Sequence, residues 1–327
     1  MDLIQQITPY KEKMAVLAER LNKKPSDWQQ CQKEIHDSIS NIFQKCAEAE
    51  KLAQEDEQEV YRLKKTFIEN GRPFIRMGKY NRHVIDKPFG YHGDFLIIDE
   101  IYKNTAETDG MERCLDNYFL NTGASIATRN RKTDFKRYLT EFVQGCSGKK
   151  TRVLDLASGP CTDVHEFLNE LTSSKEHFMI DCLDHDPRAI EFAKQKLGAN
   201  ANKINFLQKN AIRLSVAKNI DAQLPEKYDL IFSTGLFDYL DRRVAAGLIS
   251  NLKKKLQPGG LMVISNYRDK WSNPSRHFME WGGDWELVYR TEEEFLELFQ
   301  ASGFLVKHIS LKFESQKIMQ YCFAINK

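Results

Sequence analysis

Asp155, Asp184, Asn210 and Gly235 each close or follow an apolar run in a 327-residue chain. Val153-Leu154-Asp155-Leu156 reads as a buried parallel strand that stops at small residues, Ala157, Ser158 and Gly159. A ligand can approach such a backbone closely and meet the N–H groups that open the next helix. Asp184, with His185 beside it, ends a second run, Cys182-Leu183-Asp184. An acid there can accept hydrogen bonds from the vicinal hydroxyls of a ribose. Asp186 precedes Pro187 and reads as the N-cap of the following helix. Asn210-Ala211 follows a third run, where an amide can meet the edge of an adenine ring. Tyr228 to Ser233, then Thr234-Gly235, forms a fourth run, and Gln257-Pro258-Gly259-Gly260 turns into a fifth. In an open α/β sheet these strand ends face one crevice.

The elements that must position these residues follow from periodicity. From Thr151 onward, strands are expected at 152–156, 177–183, 203–207, 228–233, 260–265, 303–311 and 318–325. Helices are expected at 162–172, 187–196, 241–256 and 291–301, the last opened by a Thr291 capping box with Glu294. This alternation implies α/β: a doubly wound, mainly parallel seven-stranded sheet with an antiparallel last strand. Residues 1–147 read as a helical N-terminal region, and 148–327 as the α/β domain. Thr8-Pro9 is expected to open one helix, and Ser26 with Gln29 a second. The second carries an apolar stripe through Ile35, Ile39, Ile42 and Phe43 that reads as helix packing. A third spans Asp56 to Glu69. Residues 71–93 read as a loop-rich connector broken by glycine and proline. Helical patterning returns at 94–103, 111–120 and 124–143.

Composition narrows the class. Hydrophobic residues make up 41 % and charged residues 29 %, which fits a soluble globular chain. The 48 basic and 46 acidic residues leave a net charge of +2, so no dominant nucleic-acid footprint is expected. The cysteines at 31, 46, 114, 146, 161, 182 and 322 form no C-x-x-C pair. They point to a reducing compartment, with the cytoplasm as the default, and to no structural zinc site. No apolar run is long enough to span a bilayer.

Together these residues carry a resemblance. From about 151 to the C-terminus the chain resembles the class I S-adenosylmethionine-dependent methyltransferases, whose sheet is Rossmann-like. Asp155 to Cys161 matches that superfamily's first motif, the Asp184 segment its second and Asn210-Ala211 its third. Lys255 to Leu261 matches its strand-five turn. Ala157 and Cys161 stand where the superfamily has glycine, so each adds a Cβ near the methionine part of the ligand. A narrower resemblance is carried by Lys87 to Phe95, Arg129-Asn130-Arg131 and the segments Asn273 to Arg276 and Trp285 to Thr291. It is to bacterial proteins known for extracellular-factor 3-hydroxypalmitic acid methyl ester biosynthesis.

The resemblance implies S-adenosylmethionine as cofactor. Its expected site is Asp155, Ala157, Ser158, Gly159, Asp184, His185, Asn210, Ala211, Ser233, Thr234 and Gly235, with Arg129 and Arg131. An arginine of that pair either reaches a carboxylate, of cofactor or substrate, or is a solvated surface charge. Asn266, Tyr267, Tyr289 and Arg290 are expected on the acceptor side. Tyr91, His92 and His277 are the candidate catalytic groups, each with a structural alternative; Asp94 near them can merely cap a helix. A carboxylate acceptor is already ionised and requires no base, whereas a hydroxyl or amine requires one. The expected reaction is methyl transfer to a small-molecule or fatty-acyl oxygen, foremost a carboxylate, in which residues 1–147 serve as lid and acceptor wall.

Other chemistries fit less well. Ser233-Thr234-Gly235-Leu236 lacks the Asn/Asp-Pro-Pro-aromatic run of amide and adenine-amine methylation. Pro160-Cys161 follows the first strand, where it cannot serve as a cytosine-C5 nucleophile. With no His/Cys cluster at ligand spacing, no metal is expected. Two alternatives remain: a protein or RNA methyltransferase that docks its substrate on the helical region, and a non-catalytic cofactor-binding protein. The first calls for a basic face, to which Lys23, Lys24, Lys64 and Lys65 are the available contributors.

Overall fold

The structure, a computed structural model, describes residues 2–54, 56–146, 149–171 and 178–327. The expected start of the second strand at 177, the end of the following-motif helix at 172 and the boundary residues 147–148 lie outside them. The chain divides into two compact units. One is Met1–Ile126 with Pro274–Glu286; the other is Ala127–Asn273 with Leu287–Lys327. The sequence draws its line at 147; the division falls earlier, and a short later segment joins the first unit.

The first unit is helical: α1 (Leu3–Lys23), α2 (Trp28–Leu52), α3 (Glu57–Asn70), α4 (Arg72–Ile75), α5 (Lys79–Asp86), α6 (Phe95–Lys103), α7 (Gly110–Leu120) and the start of α8 (Gly123–Gly145). The expected helix start at Thr8-Pro9 is corrected. Asp2 caps α1 through the Ile4 N–H, and Pro9 lies inside the helix. The buried stripe Leu3, Ile7, Tyr10, Met14, Leu17 and Leu21 runs straight through the proline. Pro9 sits on the exposed face, where water can serve the carbonyl that loses its N–H partner. Ser26 does not cap α2 either. A 3₁₀ turn, Pro25–Asp27, precedes that helix, which has no side-chain cap. The segment 71–93 also differs from expectation, because α4 and α5 occupy much of it. Each is too short to show a helical period, and the glycines that break the pattern stand at the helix junctions. Asp56 caps α3, and Asp94 caps α6 while also bonding His83 at 2.8 Å.

Pro274–Glu286 is held in the first unit by buried charge. Arg276 bonds Glu280 at 3.0 Å and also bonds Glu50. His277 Nε2 meets the same Glu50 at 2.6 Å. Burial opposes ionisation of Glu50, but hydrogen bonds from His277 and Arg276 outweigh it and hold the carboxyl down to about 2. Burial lifts Glu280 from 4.5 to about 7 despite the Arg276 charge.

The second unit contains β1 (Thr151–Leu156), α9 (Thr162–Glu170), β2 (Phe178–Asp184), α10 (Pro187–Leu197), β3 (Ile204–Gln208), α11 (Ala211–Ser215), α12 (Ile220–Gln223), β4 (Tyr228–Ser233), α13 (Arg242–Lys253), β5 (Leu256–Tyr267), α14 (Glu292–Ala301), β6 (Ile309–Phe313) and β7 (Met319–Ile325). The strands form one seven-stranded sheet in the order β3-β2-β1-β4-β5-β7-β6. The first five pair in parallel, and β7 is antiparallel to both β5 and β6. This is the Rossmann-like architecture expected. One face buries Leu154, Leu156, Ile231 and Met262 against Leu248, Leu252, Phe295 and Phe299 of α13 and α14. The other receives α8, whose Phe135 packs on Phe232 and Tyr321. Two boundaries shift. Gln257 to Gly260 belongs to β5 instead of preceding it, and β4 pairs there through a register shift. The sixth strand begins at Ile309, after a 3₁₀ turn over 306–308. Asp181, buried within β2, is answered by Arg152 at 3.0 Å and by the Tyr228 hydroxyl at 2.8 Å.

The Glu280 carboxyl makes the first unit sensitive to pH. An acid whose native pKa is raised binds its proton better when folded, so stability falls as pH rises from 4.5 to about 7. Glu280→Gln removes that fall. Urea unfolding from pH 4.5 to 8 should show the variant gaining on the wild type by on the order of 1–3 kcal/mol as pH rises. A difference independent of pH would contradict this account.

Candidate cofactor site

The carboxyl ends of β1, β2, β3 and β4 bring most of the expected cofactor residues together in the second unit. The turn after β1 is built from left-handed backbone: φ is +57° at Ala157, +52° at Gly159 and +50° at Cys161. It is tied to β2 at two points. The Ser158 N–H donates to the Leu183 carbonyl at 3.1 Å, and the Gly159 N–H donates to Asp184 Oδ2 at 2.9 Å. Asp184 Oδ1 accepts the Asp186 N–H at 2.9 Å, and Asp186 caps α10 through the Arg188 N–H. A Cβ placed on Gly159 would meet nothing within 4 Å, so the turn faces open space.

Asp155 lies behind this turn and is fully buried. Burial pushes its proton affinity well above the ordinary carboxylate range, and the charges of Asp163, Cys161 and Asp184 add to the push. Its Oδ2 is buried without a hydrogen-bond partner. The two acids therefore belong to one cluster around one turn. A buried oxygen with accepting capacity to spare, beside an open turn of small residues, fits a ligand that carries hydrogen-bond donors, as S-adenosylmethionine does. Asp155, Cys161 and Cys182 also place one potential ligand atom each within 4.8 Å of one another. A hydrogen bond with Cys161 and burial push the Cys182 thiol up.

The flanking residues have distinct roles. His185 is half exposed beside Asp184, whose hydrogen bond raises its proton affinity. Asn210 Oδ1 caps α11 through the Ile212 and Arg213 N–H groups, which leaves the amide nitrogen as the group able to meet an adenine edge. Ala211 is buried beside it. Ser233 is buried, and its hydroxyl donates to the Leu156 carbonyl at 2.8 Å, so it fastens β4 to β1. Thr234 is half buried. Gly235 has φ +101°, and its N–H donates to Ser265 Oγ at 3.2 Å. A Cβ on Gly235 would lie 3.2 Å from both Nη atoms of Arg131.

Arg131 is buried and meets Asp238 Oδ2 at 3.3 Å. Arg129 is half buried, and burial lowers its proton affinity. Asp238, which the sequence reading overlooked, is the hub of the residues expected on the acceptor side. Its Oδ1 accepts Asn266 Nδ2 and the Tyr267 N–H, both at 2.9 Å. Arg290 bonds Asn266 Oδ1 and the Phe237 and Leu240 carbonyls. Asn266 and Arg290 are thus committed to internal bonds. Tyr289 is half buried and packs its ring 6.0 Å from that of Tyr267. Burial pushes Asp238 up to about 6 even beside Arg131 and Arg290. The available signal was an acid within the apolar run Leu236-Phe237-Asp238-Tyr239.

Tyr91, His92 and His277 belong to the first unit. His277 is buried on Glu50, and burial lowers its proton affinity. His92 is half buried, with its ring stacked 6.3 Å from that of Trp285. Burial lowers its proton affinity, which the Lys87 charge reinforces.

Residues 147–322 match the family model described as "Methyltransferase domain". A stretch of 130 residues is 32 % identical to malonyl-[acyl-carrier protein] O-methyltransferase 1 of Ilyobacter polytropus. That match spans 39 % of this chain and 42 % of the relative. Among solved structures, one described as a possible exported protein of Bordetella parapertussis aligns with a TM-score of 0.58 at 18 % identity, over 80 % of this chain and 95 % of that one. Magnesium protoporphyrin IX methyltransferase of Synechocystis, with bound S-adenosylhomocysteine, aligns with a TM-score of 0.51 at 12 % identity. That alignment covers 76 % of this chain and all of the other, 100 %. At these identities the likeness is one of fold.

Gly235 is the position at which a single methyl group tests this geometry. Gly235→Ala puts a Cβ on a left-handed residue and against the Arg131 guanidinium. It should cost about 1–3 kcal/mol in chemical denaturation. An alanine variant as stable as the wild type would show that β4 ends differently.

Proposed function

Because the chain belongs to the methyltransferase-domain family and uses S-adenosylmethionine, we propose that it methylates an oxygen of a small-molecule or acyl acceptor, specifically a carboxylate. The observation that carries the cofactor half is the Asp184 carboxylate, which organises the Gly159 turn beside the orphaned Asp155 oxygen. Asp155, Ser158, Gly159, Asp184, His185, Asn210 and Ala211 would hold the cofactor. When bound, it supplies an electrophilic methyl group on a sulfonium. The acceptor half is supported by the partial likeness to an enzyme named as a malonyl-[acyl-carrier protein] O-methyltransferase.

A carboxylate also suits the residues available. It is ionised at neutral pH, so the chain need only orient it and exclude water. No proton has to be taken up, and neither His92 nor His277 is needed as a base. Arg131, a buried cation of the Asp238 network, has the right charge for such an acceptor. Docking of a nucleic acid on the first unit finds less support. Lys23, Lys24, Lys64 and Lys65 pair with Glu19, Asp27, Glu286 and Glu69, so these charges form no unpaired basic face.

Calorimetry tests the cofactor half. S-adenosylhomocysteine should bind, and Asp184→Ala should weaken it at least tenfold, since the Gly159 N–H of the turn loses its acceptor. Turnover of methyl-labelled cofactor with carboxylic acids tests the acceptor. The product should release labelled methanol in mild base, as methyl esters do. A base-stable labelled product would sink the carboxylate assignment and leave the cofactor assignment standing.

A further inference from the structure

We infer that Cys161 Sγ, Cys182 Sγ and the Asp155 carboxylate form a binding site for one soft divalent cation of the zinc and cadmium class, and that this cation and the cofactor exclude each other. The second half rests on the cofactor reading above; the first does not. The three residues come from separate elements of the second unit. Asp155 lies in β1, Cys182 stands opposite it in the parallel register of β2, and Cys161 stands at the entry to α9. One ligand atom from each lies within 4.8 Å of the other two. A tetrahedral ion bonded to sulfur at about 2.3 Å and to oxygen at about 2.0 Å spaces such atoms about 3.6–3.8 Å apart. Small side-chain shifts therefore close the triad on an ion.

Two features of the triad point to a ligand. All three residues are buried, and Asp155 Oδ2 has no hydrogen-bond partner among the described residues. A buried carboxylate oxygen left so has lost water and gained nothing in return. A bound cation supplies the missing partner. Cys161, in turn, is a non-glycine residue with φ +50°, and its side chain makes no cap bond to α9. Left-handed backbone is costly for such a residue. Here it holds the Cys161 sulfur against that of Cys182. Asp163 and Asp184 add negative charge around Asp155, which favours a cation there.

The donor set names the class of ion. Two sulfurs and one carboxylate select a soft ion over magnesium or calcium, which take oxygen ligands. The ion replaces the protons of both thiols and of Asp155, and those protons pass to water. The turn between Asp155 and Cys161 faces open space at Gly159, which gives the ion its way in. No C-x-x-C pair announces this set in the sequence, because the strand register assembles it. An ion on Asp155 occupies the carboxylate that the cofactor reading assigns to the ligand, and it fixes the turn through Cys161. Ion and cofactor then compete.

The test is equilibrium dialysis of the full, reduced chain against cadmium, zinc or magnesium chloride alone. The wild type should retain one equivalent of cadmium or zinc and no magnesium. Cys182→Ala and Asp155→Asn should each weaken cadmium binding at least tenfold. Cys146→Ser, which removes a half-buried thiol outside the triad, should change it less than threefold. Buried substitutions can unfold a chain, so zinc-edge X-ray absorption of the wild type gives a second reading: two sulfurs at about 2.3 Å with oxygen at about 2.0 Å. Calorimetry should show S-adenosylhomocysteine binding the cadmium-loaded chain at least tenfold more weakly than the metal-free chain. The site is overturned if neither cadmium nor zinc binds, if a folded Cys182→Ala variant binds as the wild type does, or if the absorption shows any other number of sulfurs. Undiminished S-adenosylhomocysteine binding to the loaded chain overturns the exclusion. Failure of S-adenosylhomocysteine to bind the metal-free chain would remove the cofactor reading and leave the metal result intact.

Discussion

The carboxylate of Asp184 is the fixed point of the second unit. One of its oxygens holds the turn after β1 by the Gly159 N–H, and the other holds the start of α10 by the Asp186 N–H. The turn needs that hold. It contains two non-glycine residues, Ala157 and Cys161, in left-handed backbone, a conformation that L-residues occupy only when their surroundings enforce it. The Ser158 N–H bond to the end of β2 supplies the rest of the enforcement. The turn is thereby shaped before any ligand arrives.

That shaping explains how much of the site the sequence disclosed. The acids at 155 and 184 were legible because each ends an apolar run, and a strand end has one place to point in an open sheet. The sheet itself was legible for the same reason: parallel strands buried on both faces read as continuous apolar blocks. Asp238 was not legible. It sits in a short 3₁₀ segment, Leu236–Tyr239, whose role depends on Arg131 from far upstream and Asn266 and Arg290 from downstream. No local period marks a residue whose partners are all distant.

The helical unit failed in a related way. Pro9 reads as a start because proline favours the first turn, but the stripe from Leu3 to Leu21 buries enough on one face to carry the helix through it. Ser26 reads as a cap because of Gln29, yet Asp27 pairs with Lys24 and Arg20 and the chain enters α2 through a 3₁₀ turn. Tertiary burial overrode a cost of about 3 kcal/mol at the proline, and side-chain pairing a cap preference of about 1 kcal/mol at Ser26.

Buried charge is the theme the two units share, used to different ends. In the first, Glu50, Arg276, His277 and Glu280 satisfy one another, and the result is registry: a segment from late in the chain can sit in one place only. In the second, Asp238 is answered by Arg131 directly and by Arg290 through Asn266. Such groups are expensive to bury, and apolar residues of the same volume would stabilise the fold at least as well. Here the arrangement has a visible structural consequence: Asp238 ties the Leu236–Tyr239 turn after β4 to the end of β5 through Asn266 and the Tyr267 N–H, so the two strand ends are fixed against each other.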